Sequence, residues 1–191
     1  MTMQLSEKAQ ELISKARIVS FSSWKGVLSG SAIALFQAAD DQGRYLTSEN
    51  LEQIKAISPN LADSVAKARL LTEKTSEIVE QARAAVLTTF PNITDIGGEL
   101  YPPERAQACW RDFWHFLRCI TYGIAGNKAE FTSTEGLANM RLLYQELEVP
   151  LGAMVCGVEN LKKFSLQEFS SQEQELIAPH FDHLINALKA F

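Results

Sequence analysis

Between Tyr101 and Gly123 the sequence reads YPPERAQACWRDFWHFLRCITYG, which sets a thiol, a cation and a carboxylate within four residues: Cys109, Arg111 and Asp112. A thiolate attacks electrophilic carbon, a carboxylate accepts hydrogen bonds from N–H groups, and a guanidinium fork grips an anionic group through paired hydrogen bonds. At about 100° per helical residue, Cys109 and Asp112 stand one turn apart on a single face, with Ala106 a turn earlier. Arg105, four residues before Cys109, shares that face, and Phe113 extends it. Arg111 projects sideways on a stem long enough to swing back, and Tyr101 comes from the segment just ahead of the helix. Such a face suits a pocket for a large, flat, charged ligand.

Each signal has an ordinary counterpart. A lone intracellular cysteine is otherwise a small buried hydrophobe, and that is the reading for Cys119 and Cys156. Arg111 and Asp112 as a solvated pair would be worth less than ~1 kcal/mol, but neighbours on a helix do not face each other, so both look outward for partners. Trp110, Phe113 and Trp114 read as core or pocket lining. His115, on an aromatic helix face, reads as a satisfied core residue, and with His180 and His183 it has no spacing that supports haem or metal binding, so no metal site is expected. No Ser/His/Asp arrangement, phosphate loop or paired-carboxylate motif points to an enzyme.

The ligand chemistry that uses the whole set is that of a linear tetrapyrrole. Its pyrrole N–H groups need an acceptor, its propionates need arginine, and its side-chain double bond can take up a thiol as a thioether. A carboxylate held against the ring nitrogens also keeps them protonated. Residue types alone do not single this ligand out.

The elements that would position the set read as helices throughout. The chain has 191 residues, 46% hydrophobic and 21% charged, which is enough for one compact core. A net charge of −5 argues against nucleic acid as the main partner. No stretch reaches the roughly 18 apolar residues of a membrane span, and the polar MTMQLSEKAQEL start does not look like a signal peptide. Three cysteines suit a reducing compartment better than a disulfide framework. Apolar periodicity predicts helices over 3–18 and 27–39, then one capped by Thr47 or Ser48 and ending before Pro59. A long tract over 60–90, in one or two pieces, stops at Pro91. The segment NITDIGGELYPP is the clearest loop. The cysteine helix follows to 123–126. Another, capped by Thr132 or Ser133, runs through Glu148. The last two start at Pro150, ending near Lys163, and at Ser171, with a bend allowed at Pro179.

Several stretches occur together in an order that resembles the phycobiliproteins, the globin-like subunits of the light-harvesting phycobilisome. They are ADDQGRYLTSENL, ARLLTEKTSEIVEQA with FPNI, GGELY with Cys109 eight residues on, CWRDFWHFLRCITYG and MRLLYQELEVPLGAMVCGVENLKK. The resemblance covers Ala38 to the C-terminus and leans toward allophycocyanin through the ITYGI run. It implies an all-α, globin-like domain over 38–191, preceded by an N-terminal helical extension over 1–37, either partner-facing or packed on the core. It further implies a covalent open-chain bilin such as phycocyanobilin on Cys109, with Asp112 at the pyrrole nitrogens and Arg111 at a propionate. Asp40 and Arg118 match positions that form a polar contact between paired subunits in the family, with Tyr122 supporting that packing. An ordinary contact within the chain is the alternative. Pairing with other phycobiliprotein subunits, stacked rings, a bilin lyase and a cytoplasmic place at the thylakoid surface, without membrane insertion, are implied as well.

The departures are informative. The segment before Asp40 is longer than usual, bulky indoles stand at 110 and 114, and Glu148 replaces a usual glycine. These features keep a second reading open, an unpigmented adaptor in phycobilisome assembly, repair or disassembly. Light sensing or bilin storage is a weaker third. An aromatic closing the pocket, or a buried Cys109 thiol, would weigh against pigment.

Overall fold

A computed structural model describes residues 5–191 and contains eight α-helices among them. They are α1 (Glu7–Lys15), α2 (Gly30–Asp41), α3 (Ser48–Ile57), α4 (Ala62–Thr89), α5 (Pro103–Ala125), α6 (Thr134–Glu146), α7 (Leu151–Leu166) and α8 (Ser171–Lys189). Among the described residues no strand forms, only isolated bridges such as Val19 with Thr132. The all-α expectation holds.

Local chemistry explains most boundaries. Ser6, Ser29, Thr47 and Ser133 each accept a backbone N–H in the first turn of α1, α2, α3 and α6, satisfying donors that a helix start leaves open. Thr47 and Asn50 form a reciprocal capping box. Part of the helix expected from Met3 lies outside the described residues, and what is described ends at Lys15 rather than Ile18. The tract after Pro59 is a 3-10 turn, Pro59–Leu61, leading into one continuous α4. Helix α8 continues through Pro179.

The core is built on α5. Its residues Ala106, Cys109, Phe113, Phe116, Leu117, Ile120 and Ile124 form a buried stripe at helical spacing, and everything from Phe116 to Ala125 is buried. Helix α4 packs along α5 and α7, α7 packs on α8, and α3 joins the α2–α3 hairpin to α4. Gly157 of α7 lies under the Phe113 ring, where a side chain would collide.

The N-terminal extension is part of this body. Helix α1 lies on α6 through Ala9 and Leu12. Ser6 donates to Glu146 (2.9 Å) and Lys8 pairs with the same carboxylate (2.7 Å). The chain beyond is stitched to the segment before α6: Ser133 N–H donates to the Ile18 carbonyl (2.7 Å) and Ser20 N–H to that of Phe131 (2.9 Å). Trp24 is fully buried beside Phe21 and Phe36. Two glycines permit this seating: a methyl at Gly126 would meet the Trp24 ring, and one at Gly136 the Arg17 carbonyl.

Helix α6 stops at Glu146, two residues early, because Glu148 takes a left-handed conformation with φ of 51°. That conformation crowds a side-chain Cβ against backbone, which is why glycine suits the position. Glu148→Gly is expected to raise stability by about 1 kcal/mol. Glu148→Ala keeps the Cβ and should gain little. Urea unfolding of the two variants decides it, and an equal gain from alanine would refute the strain.

Candidate functional site

Polar residues recur along one face of α5 at helical spacing, at Asp112, His115, Arg118 and Tyr122. Tyr144 of α6 donates to Asp112 Oδ2 (3.0 Å). Arg118 Nε donates to His115 Nδ1 (3.3 Å), while its Nη1 donates to Asp40 Oδ1 (2.9 Å) and to the Tyr122 hydroxyl (2.7 Å). Tyr122 in turn donates to the Arg44 carbonyl. Hydrogen bonds from the second half of this row therefore reach the α2–α3 hairpin.

Two adjoining cavities open beside the first half. The larger, about 680 Å³, is lined by Ile13, Arg17, Arg111, Asp112, His115 and Phe116, among others. The smaller, about 300 Å³, is more apolar and takes in Cys109, Arg105, Leu100, Leu147 and Pro150. Both share Ile13, Arg111, Asp112, Leu143 and Tyr144. Their sizes fall within the about 300–1,000 Å³ typical of small-molecule sites.

The residues singled out from sequence separate here. Cys109, Arg111 and Asp112 meet at this pair of cavities. The Arg111 side chain is exposed and makes no ion pair or hydrogen bond among the described residues. Arg105 lines the smaller cavity, but its guanidinium is spent on the carbonyls of Glu99 (3.2 Å) and Glu148 (3.0 Å), which ties the loop before α5 to the end of α6. Tyr101 is not brought in: it stands 43% exposed at the surface, while its neighbour Leu100 turns inward. Asp40, Arg118 and Tyr122 lie buried against one another within this chain, and Arg17 adds a second cation at Asp40 Oδ2 (2.6 Å).

Neither indole blocks the cavities. Trp110 lies under the Arg83 guanidinium (5.8 Å) and beside Phe113, and Trp114 meets Tyr45 edge-on (4.8 Å). Sequence reasoning missed Ile13, Tyr144 and His115 as lining residues. The first belongs to a segment with no counterpart in the resemblance, and the last was read as core. His183 bonds Thr132 (2.7 Å), His180 is buried, and no metal-binding cluster occurs among the described residues.

Burial sets the electrostatics. It pushes the Asp112 carboxyl up to about 6, against the Tyr144 hydrogen bond and the Arg111 charge. Burial, then the Asp112 charge, push the Cys109 thiol up to about 12, with Arg105 opposing. Cys109 is 5% exposed. At neutral pH it is a shielded thiol rather than a poised nucleophile. Burial and then the cations Arg118 and Arg111 hold His115 down at about 4. With Nδ1 accepting from Arg118, the neutral ring carries its proton on Nε2.

The body is all-helical, with two ligand-sized cavities along a buried helix. Similarity to known proteins gives its class. Residues 34–188 match the family model for the phycobilisome protein. Similar proteins include allophycocyanin subunit alpha-B of Synechocystis sp., 35% identical over 77% of this chain and 91% of the relative. The subunit of the same name from Nostoc sp. is also 35% identical, over 78% and 93%. The alpha-B chain of Cyanophora paradoxa is 31% identical, over 80% and 94%. The chain belongs to the phycobilisome protein family. Among the described residues, no helix is long and apolar enough to cross a membrane.

The Asp112 carboxyl, raised to about 6, sits above its unfolded value of about 3.9. Between those values the folded chain holds the extra proton, so stability falls as pH rises through the window and the cost is complete above pH 6. Asp112→Asn is expected to stabilise the ligand-free protein at pH 7 by roughly 1–3 kcal/mol, since each tenfold difference in proton affinity is worth about 1.4 kcal/mol. The gain should vanish near pH 4. Urea titrations at pH 4, 5.5 and 7 check this, and a pH-independent gain would contradict it.

Proposed function

We propose that this chain is a phycobiliprotein-type subunit that holds one linear tetrapyrrole, phycocyanobilin or a close relative, for light harvesting and energy transfer in or near the phycobilisome. The observation that carries the reading is the convergence of Cys109, Arg111 and Asp112 on two adjoining cavities. The donor set fits the group. Arg111, exposed and without a bonded partner among the described residues, is available to a propionate. Asp112 is a half-buried acceptor whose carboxylate form would be favoured again by protonated ring nitrogens. Cys109 lines the apolar end, where a thioether would tether the ligand. His115 offers a neutral N–H at the larger cavity.

When bound, the tetrapyrrole supplies visible absorption and a double bond that a thiol can add across. The protein holds the ligand by its charges, excludes water and, through packed walls on α5 and α6, limits torsion. Because the Cys109 thiol is pushed up to about 12, it needs help to ionise, which suits attachment by a separate lyase. The family membership supports assembly with other phycobiliprotein subunits and a place on the thylakoid surface.

The buried thiol also favours a second reading, an unpigmented adaptor with the same fold. Co-expression with a bilin pathway and candidate lyases, followed by denaturation, separates the two. Under the first reading, visible absorbance survives denaturation and is lost in Cys109→Ala. A folded but colourless protein with every lyase would leave the adaptor.

A further inference from the structure

The outer boundary of both cavities comes from the N-terminal extension. Leu5 and Ile13 line the smaller one, and Ile13, Ala16, Arg17 and Ile18 the larger. Ile13 is the residue of α1 that borders both, and it is 48% exposed, an aliphatic side chain at the cavity edge with half its surface in water. A flat apolar ligand in the cavity would cover that surface, which favours binding.

The extension is held unevenly. From Ile18 onward it is tied by backbone hydrogen bonds to residues 131–133 and by buried Phe21 and Trp24. Helix α1 is seated more lightly. It buries Ala9 and Leu12, and its polar ties are Ser6 and Lys8 on one carboxylate, that of Glu146, at the surface. Exposed ion pairs contribute little. Between the two regimes the helix ends at Ala16, with ψ of 39°, and Arg17 reaches away from it to Asp40 and Asp41 (both 2.6 Å). A nine-residue helix that buries two side chains, with exposed polar ties and a fixed strap behind it, has the makings of a unit that opens separately from the body.

We propose that α1 is the closing wall of the ligand site: it seats on the bound ligand through Ile13 and has to leave α6 for anything to reach Cys109. This rests on the tetrapyrrole reading for the ligand, though not for the wall. It accounts for a buried attachment residue, since Cys109 is shielded with α1 docked and reachable with it undocked.

The first test uses the ligand-free protein and N-ethylmaleimide, with each cysteine followed by peptide mass spectrometry. Leu12→Asp puts a charge into the α1–α6 contact. Cys109 should then label at least about tenfold faster than in the wild type, because modification tracks the open population. Near-UV circular dichroism, to which the buried Trp24 and Tyr122 contribute, should match the wild type and so report an intact fold, since Cys119 itself borders the larger cavity. Equal Cys109 rates with a wild-type spectrum would overturn the wall. If Leu12→Asp loses that spectrum, Lys8→Ala with Ser6→Ala, which leaves the apolar contact alone, takes its place under the same criterion with a smaller acceleration.

The second test uses protein loaded with phycocyanobilin. Hydrogen exchange of the α1 amides should slow on loading, and Ile13→Ala should lose most of that slowing while keeping the pigment. No slowing in the wild type would overturn the contact at Ile13. A wild type that never takes colour sinks the tetrapyrrole reading and the Ile13 contact together, and the maleimide rates then decide the wall by themselves.

Discussion

The buried pair of Asp40 and Arg118 governs how this molecule is arranged. Both charges lie out of water: Arg118 is compensated by Asp40 and the Tyr122 hydroxyl, and Asp40 by Arg118 and Arg17. Removing Asp40 would leave Arg118 buried without a counter-charge, a loss that typically costs about 3–5 kcal/mol. The pair therefore permits little freedom in how α5 sits against α2. With Arg118 fixed, the spacing along α5 fixes the rest: His115 one turn back meets Arg118 Nε, and Asp112 another turn back meets Tyr144 on α6. The rotational setting that aims Asp112 and Arg111 at the cavities is thus decided where the α2–α3 hairpin joins α5.

Arg17 extends the same logic to the N-terminal segment. It takes the second oxygen of Asp40 and adds Asp41, so the extension is tied to the carboxylate that orients α5. Half-exposed itself, Arg17 contributes less than Arg118, but it places the start of the strap over the cavity rather than away from the body. The site is accordingly assembled from α5, α6 and α1, and its geometry is set by charges that do not themselves need to touch a ligand.

Much of this was legible from residue types and spacing. The capping residues Thr47 and Ser133, the prolines at 59, 91 and 150 and the apolar period of α5 are local signals, and local structure follows them closely. Cys109, Arg111 and Asp112 were legible because one helix carries all three. Tyr101 was not, since a loop does not reveal which of two adjacent residues turns inward, and the interior took Leu100. Arg105 shares the right face, yet its guanidinium serves carbonyls at Glu99 and Glu148 that sequence could not place beside it. His115 was misjudged because its neighbours are aromatic, whereas its ring is fixed by Arg118 three residues on.

The destination of α1 lay furthest from what sequence can say. Amphipathicity showed a face to bury, with Ala9 and Leu12 on it, and left the partner open. The structure puts that face on α6, and the consequence runs against first impressions of Cys109. A thiol 5% exposed and pushed up to about 12 looks like core filler. Yet filler is close-packed, and Cys109 instead borders a cavity of about 300 Å³ with Arg105 and Asp112 on the same wall. Leu5 and Ile13 border that same cavity from the N-terminal segment, opposite a wall that includes residues of α5 and α6. Burial contributed by a light, separately hinged helix is a property of one conformation, and it weighs against ligand attachment only as far as that helix stays closed.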